Sequence, residues 1–190
     1  MRNLIYVIVL IFITTTSLFG QKIANSDQRD IKIPSNVLIK GTSTLHDWES
    51  IVEHTEAKIT VDTGADFHLE TLEVKIKAKS IKSGKKVMDK LTYKALKAEK
   101  HPLITFIFKS GKIVNENADS LTVKLTGELT IAGITKEVPV LTTINKLGNE
   151  IILKGDYKLK MTEYGIKPPK ALLGTIKTGN EITIEFSLKF

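Results

Sequence analysis

The chain has no cysteine. Disulfides, thiol chemistry and a membrane anchor on a lipidated N-terminal cysteine are therefore excluded. The fold must hold itself together by core packing alone. Long hydrophobic runs are also missing. The longest, Leu4 to Ile13, holds about ten residues, and a spanning helix needs roughly twenty. The HExxH zinc helix, the GxSxG nucleophile elbow, the P-loop and the GxGxxG turn do not occur. The four histidines, His46, His54, His68 and His101, have no tight metal-ligand spacing. Asp and Glu are spread along the outward faces of predicted strands, and no pair is set apart for acid–base work.

What is present begins with a leader. Arg2 precedes the apolar run, and Thr14, Thr15, Thr16 and Ser17 follow it. That is the pattern of a secretory signal peptide. The expectation is a leader over residues 1–20, cut after Gly20, and one domain over residues 21–190; an uncleaved anchor is the alternative. About 170 residues suit one domain with a substantial core. The mature protein is expected to be soluble, in the periplasm or secreted. Lysine supplies most of the 28 basic residues, which outnumber 21 acidic ones for a net charge of +7. In an exported chain this excess suits anionic headgroups or an acidic envelope rather than nucleic acid. A plain solvated lysine surface is the alternative.

The rest of the chain is dominated by a period of two. Leu72, Val74, Ile76 and Ala78 alternate with Glu73, Lys75, Lys77 and Lys79. The same rhythm runs through Ile104–Phe108, Leu121–Ile131, Val138–Ile144, Ile151–Met161 and Ile182–Phe190. Such segments are strands with one dry and one wet face. Shorter strands are expected over Ile31–Val37, Leu38–Glu49 and Glu56–Val61, after a loose polar lead-in over Gln21–Asp30. Val87–Glu99 changes to helical spacing, with Met88, Leu91 and Ala95 on one side and Asp89, Lys90, Lys94 and Lys97 on the other. Pro102 stops it. Gly127 and Gly155 fall mid-strand, where a bend or bulge is expected. Pro139 should sit at an edge, a bulge or a strand start. Thr162–Thr178 is a candidate rim loop or lid.

About eight strands and one helix predict an all-β fold: an antiparallel, eight-stranded barrel with the helix near its mouth. Strands of ten to twelve residues, tilted by about 40°, give a barrel roughly 27 Å tall. Its interior would suit a long thin apolar ligand. A solid two-sheet sandwich shows the same alternation, so both architectures stand at this point. The candidate apolar wall comprises Leu45, Trp48, Phe106, Phe108, Leu125, Leu129, Leu153 and Leu159, with Leu91 and Leu96 near the mouth. No metal or cofactor is expected. A homodimer is compatible with the sequence.

Two clusters offer competing functions. Ten lysines from Lys75 to Lys100 fall in one strand, one turn and the helix. They could form a basic face that meets anionic surfaces, at about 1 kcal/mol per lysine near such a surface. His46 and Asp47, with a hydroxyl partner, could serve a hydrolase, although an enzyme is not the expectation here.

Several segments together carry a resemblance. They are Gly41-Thr42-Ser43-Thr44-Leu45-His46-Asp47-Trp48, Ala95-Leu96-Lys97-Ala98-Glu99-Lys100-His101-Pro102 with Ile104-Thr105-Phe106, and Leu125-Thr126-Gly127-Glu128-Leu129-Thr130-Ile131-Ala132-Gly133. Their order and spacing resemble the YceI-like proteins from about Val37 to the C-terminus. The resemblance implies a lipocalin-like barrel in an exported bacterial protein that binds polyisoprenoids or other long-chain lipids. Many members carry an arginine and an Asp-Phe-Gly run before the last connection. Here Lys160-Met161-Thr162-Glu163-Tyr164-Gly165-Ile166 stands there, so the headgroup end of the pocket is expected to differ.

Overall fold

The structure, a computed structural model, describes residues 26–62, 68–117 and 120–190. The expected leader and its cut after Gly20 lie outside the described residues. Twelve strands are described: β1 (Ser26–Asp30), β2 (Lys32–Ser43), β3 (Trp48–Val52), β4 (Thr55–Asp62), β5 (His68–Lys77), β6 (Ile81–Lys82), β7 (Leu103–Glu116), β8 (Ser120–Ile131), β9 (Ile134–Leu147), β10 (Glu150–Lys160), β11 (Lys170–Ala171) and β12 (Ile176–Lys189). One α-helix, α1 (Lys86–Ala95), and three single 3-10 turns, at Ala78–Ser80, Met161–Tyr164 and Leu172–Gly174, complete the description.

Every pairing is antiparallel, in one sheet of order β1-β4-β5-β7-β8-β9-β10-β12-β2-β3-β6, with β11 added on β12. Neither a two-sheet sandwich nor the expected eight-stranded closed barrel is found. The sheet is strongly curled, and its hydrogen-bonded path is open, ending at β1 and β6. The excess over eight strands has a local cause. The expected strands Ile31–Val37 and Leu38–Glu49 are one strand, β2, which ends at Ser43 before a turn into β3, while β1 lies in the expected lead-in and β6 and β11 are two-residue additions. The lead-in is also corrected. Ser26–Asp30 is a strand paired with Lys58–Asp62, and Arg29 bridges Asp27 at 2.6 Å.

The alternation in β8 shows why the sheet curls round one interior. Leu121, Val123, Leu125, Leu129 and Ile131 are all buried, while Lys124 between them is exposed. Where β8 reaches Gly127, the ring of Phe106 lies on the bare backbone. A Cβ there would stand 2.6 Å from Phe106 Cε2 and 2.7 Å from the Ile107 carbonyl oxygen. The partner strand shifts register between Phe108 and Ser110, beside this glycine. Gly155 plays the same part for Phe186, whose Cζ would be 2.8 Å from an added Cβ.

Ala132 and Gly133 turn β8 into β9 with both residues at positive φ, 51° and 82°, the geometry a two-residue hairpin demands. Pro139 follows where β9 pairs only with β8. β10 joins β9 from Thr142 onward, so the missing N–H costs no ladder bond on that side. Beyond Gly155, β10 leaves β9. Met161, Tyr164 and Ile166 pack with Val138 and Val140 beside that divergence. The Thr162–Thr178 connection is thus partly a core element.

Antiparallel topology gives the sheet two ends. One end gathers the β2–β3 turn, the β8–β9 turn, α1 and the connection after β10. The other is filled by Val61, Leu69, Leu121, Ile144, Ile151 and Phe190, none more than 7% exposed. Toward the first end burial falls along β5 and β12, whereas Leu129, Ile131, Val138 and Leu159 on β8, β9 and β10 stay buried there. On β12, Leu188 is buried while Ile182, Ile184 and Phe186 are half-buried; on β5, Leu72 is buried while Val74 and Ile76 are half-buried.

α1 is held at the side. Tyr93 Oη donates to the Lys79 and Ile81 carbonyl oxygens and accepts from Lys82 Nζ at 2.8 Å. That bond raises the Lys82 pKa. Ser83, through its backbone N–H and its hydroxyl, donates to Asp89 and lowers that carboxyl's pKa. No residue within α1 is buried. Its dry side reaches the interior mainly through Ala95 and the following residue, Leu96.

Candidate functional site

Inside the curl lies a cavity of about 100 Å³. Seven strands, β2, β5, β7, β8, β9, β10 and β12, contribute to its wall. The wall is apolar apart from Thr105, Thr142 and Tyr157. Phe106 and Phe186, laid back on Gly127 and Gly155, bound it, and both are half-buried. A glycine opposite each ring lets an aromatic lie along the wall instead of filling the centre.

Two buried hydroxyls have no hydrogen-bond partner among the described residues. Thr142 Oγ1 belongs to the cavity wall, and Tyr164 Oη to the core cluster beside the β8–β9 turn. Burial, with the charges of Tyr157 and Glu163 behind it, pushes the Tyr164 phenol up to about 12. Burial and then Glu163 raise Tyr157 as well. Both shifts express the cost of placing a phenolate in this apolar surrounding. Lys136 Nζ stands 6.0 Å from the Tyr164 ring centroid.

The structure brings four of the ten expected wall residues together in the cavity: Phe106, Leu125, Leu129 and Leu153. Phe108 packs on the core cluster at the filled end, Leu159 is buried in the cluster beside the β8–β9 turn, and Leu96 touches both. Leu91 is half-buried and belongs to neither cluster. Leu45 is 66% exposed on the β2–β3 turn. Trp48 lies against Gly41, its Nε1 donating to the Thr42 carbonyl oxygen at 2.9 Å. It lines a separate groove of about 500 Å³ with Lys40, Glu49 and Glu181.

Wall residues missing from the expected set include Val37, Ile104, Val140, Tyr157, Ile184 and Phe186. Most carried a signal, since they share the dry faces of their strands. What the period of two lacks is depth, which decides whether an inward residue meets the cavity or the packed end.

The competing sites separate on geometry. His46 is exposed, and its Nδ1 stands 2.5 Å from the Asp47 backbone oxygen. The neighbouring Ser43 hydroxyl donates to the His46 carbonyl oxygen at 2.7 Å rather than to its ring. This is not a nucleophile–base pair. Among the described residues no group of three or more His, Asp and Glu side chains could hold a metal ion. The lysine face is partly neutralised, as Lys75, Lys77 and Lys79 reach Glu73, Glu56 and Glu99 at 2.7, 3.6 and 2.6 Å.

Comparison with known proteins places this architecture. The pattern of the YceI-like domain matches residues 34–190. The chain belongs to the YceI-like domain family. No curated protein matches it. Solved structures do. BcnA of Burkholderia cenocepacia superposes with a TM-score of 0.70 at 19% identity, covering 82% of this chain and 96% of its own. A polyisoprenoid binding domain from Saccharophagus degradans, implicated in plant cell wall breakdown, gives 0.66 at 11% identity, with 84% and 95% covered. The YceI protein of Campylobacter jejuni gives 0.60 at 21% identity, with 74% and 82% covered. At these identities the likeness is one of fold.

Proposed function

We propose that this YceI-like chain is an exported binding protein. It holds the apolar chain of an isoprenoid or other long amphiphile against the concave face of its sheet, for carriage, storage or sequestration. One observation carries the reading: an apolar cavity, walled by seven strands and bounded by the half-buried rings of Phe106 and Phe186. The polyisoprenoid binding domain from Saccharophagus degradans, with the same fold, supports the ligand class.

Size sets a condition on the proposal. Ligand pockets typically measure about 300–1,000 Å³, and this cavity measures about 100 Å³. Uptake of a long chain therefore requires movement of wall side chains. Phe106 and Phe186 are the ones to move, since they are half-buried and touch both core clusters. The driving force is burial of methylenes at about 0.8 kcal/mol each, and ten such groups outweigh the repacking of two rings.

The proposal places the protein in the periplasm or outside the cell after removal of residues 1–20. Native mass spectrometry and solvent extraction of gently purified protein test the ligand, followed by titration with polyprenols and fatty acids. A co-purifying lipid, or saturable uptake, is expected. Protein that is repeatedly ligand-free and also rejects both added classes overturns the proposal.

A further inference from the structure

The run Lys170-Ala171-Leu172-Leu173-Gly174 spends two leucines where nothing buries them. Leu172 is 71% exposed and Leu173 109%. Their φ angles are 45° and 56°, in the left-handed region that side chains with a Cβ avoid. Strain of this kind clusters at functional sites, and here it points two apolar side chains outward.

A third leucine stands on the adjoining turn. Leu45 is 66% exposed, and its turn is tied to the leucine segment through Thr44. The Thr44 N–H donates to the Lys177 carbonyl oxygen at 3.0 Å, and its Oγ1 accepts from the Lys177 N–H at 3.2 Å. The leucine segment is flanked by Lys167, Lys170 and Lys177, all exposed. Lys170 lies directly opposite Lys177 in the β11–β12 pairing, where like charges repel. Among the described residues no carboxylate pairs with any of the three; the acidic residues on the two segments are Asp47 and Glu163.

We infer that this tip docks on an anionic phospholipid bilayer. Leu172 and Leu173 protrude from the tip, and fluid acyl chains close round such a knob whatever its shape. Lys170 and Lys177, opposite each other across β11 and β12 beside the leucines, and Lys167 each add attraction to an anionic surface. The tip sits at the end of the sheet toward which burial falls along β12 and β5. Docking would therefore point the cavity's less buried end at the membrane. The inference deepens the proposed function and rests on it for its purpose, but not for its evidence.

Vesicle co-sedimentation tests it, with protein purified from the soluble fraction of expressing cells. Phosphatidylglycerol–phosphatidylethanolamine vesicles are compared with pure phosphatidylcholine. Wild type is expected to sediment with the anionic vesicles, and added salt to weaken this. Leu172→Ser with Leu173→Ser is expected to lower binding at least about tenfold, since burial of each leucine is worth roughly a decade. Lys170→Gln with Lys177→Gln is expected to lower binding and flatten its salt dependence. Lys112→Gln with Lys124→Gln, exposed and paired across β7 and β8 away from the tip, is expected to leave it unchanged.

A wild type that ignores anionic vesicles overturns the inference, as does a double-leucine variant that binds as well as wild type. Leucine-dependent self-association without vesicle binding overturns it in favour of a second copy of the chain. Uptake of a fluorescent polyene fatty acid in lipid-free solution is measured in parallel. Loss of uptake with tip-dependent vesicle binding intact defeats the proposed function alone. Intact uptake without vesicle binding defeats the docking alone.

Discussion

Replacing Gly127 with alanine is the sharpest test of how the cavity is kept open. The new Cβ would sit 2.6 Å from Phe106 Cε2 and 2.7 Å from the Ile107 carbonyl oxygen. Carbon atoms in ordinary contact stand about 3.5–4.0 Å apart, so the ring must withdraw by about 1 Å or more. The carbonyl belongs to the β7–β8 ladder and cannot follow without straining it. The space open to the ring is the cavity of about 100 Å³ on its inner side. Overpacking of this kind costs about 1–3 kcal/mol. That outweighs the 0.4–1 kcal/mol a Gly→Ala change gains by stiffening the unfolded chain. Gly127→Ala is thus expected to lower urea-unfolding stability by about 1–2 kcal/mol and uptake of a fluorescent polyene fatty acid at least about tenfold, or about 1.4 kcal/mol of binding. Adding Phe106→Leu to Gly127→Ala should restore much of both, as a double-mutant cycle would show. Ile107→Ala, at a 42% exposed position, should leave uptake as it is. Unchanged uptake in Gly127→Ala, with no rescue by the second substitution, would refute the idea that ring placement sets the cavity.

Other outcomes follow from the buried groups. Tyr164 titrates near 12 in the fold against about 10 unfolded. Its contribution to stability is therefore complete below pH 10 and lost as pH rises toward 12. The loss is about 2–3 kcal/mol, and the difference between wild type and Tyr164→Phe across alkaline urea titrations should show it. Thr142→Val removes a buried hydroxyl without a partner and should raise stability by about 1 kcal/mol in the same assay at neutral pH. Leu153→Ala, at a 0% exposed position on the cavity wall, should cost about 2–5 kcal/mol. Gly41→Val should drive the Trp48 ring off the backbone it covers, red-shifting the emission of the chain's one tryptophan.

Much of the inward face was legible before any coordinates. The alternation of Leu121, Val123 and Leu125, or of Ile184, Phe186 and Leu188, declares which side of a strand is dry, because side-chain direction has a period of two. The hairpin at Ala132-Gly133 and the stop at Pro102 were equally local. The strand tally was less secure, because Ser26–Asp30 is polar throughout and Ile81–Lys82 and Lys170–Ala171 are too short for a period of two to show. Leu45 and Trp48 were misplaced for a related reason. The apolar character of a residue near a strand end does not say whether the turn swings it inward. Leu91 shows the same limit on a helix, whose apolar stripe does not reveal how firmly α1 is pressed onto the sheet.

By itself, then, the amino-acid order determined the strand-rich class, the dry faces and the family, all of which rest on residue type and short-range spacing. The tertiary structure alone decided the open path of the sheet, the resting of Phe106 on Gly127 and Phe186 on Gly155, the modest volume between them and the outward thrust of Leu172 and Leu173. Each of these depends on which residues distant in the chain meet across the curl. That meeting is set by register and twist summed over a dozen strands, a quantity no local window of sequence contains.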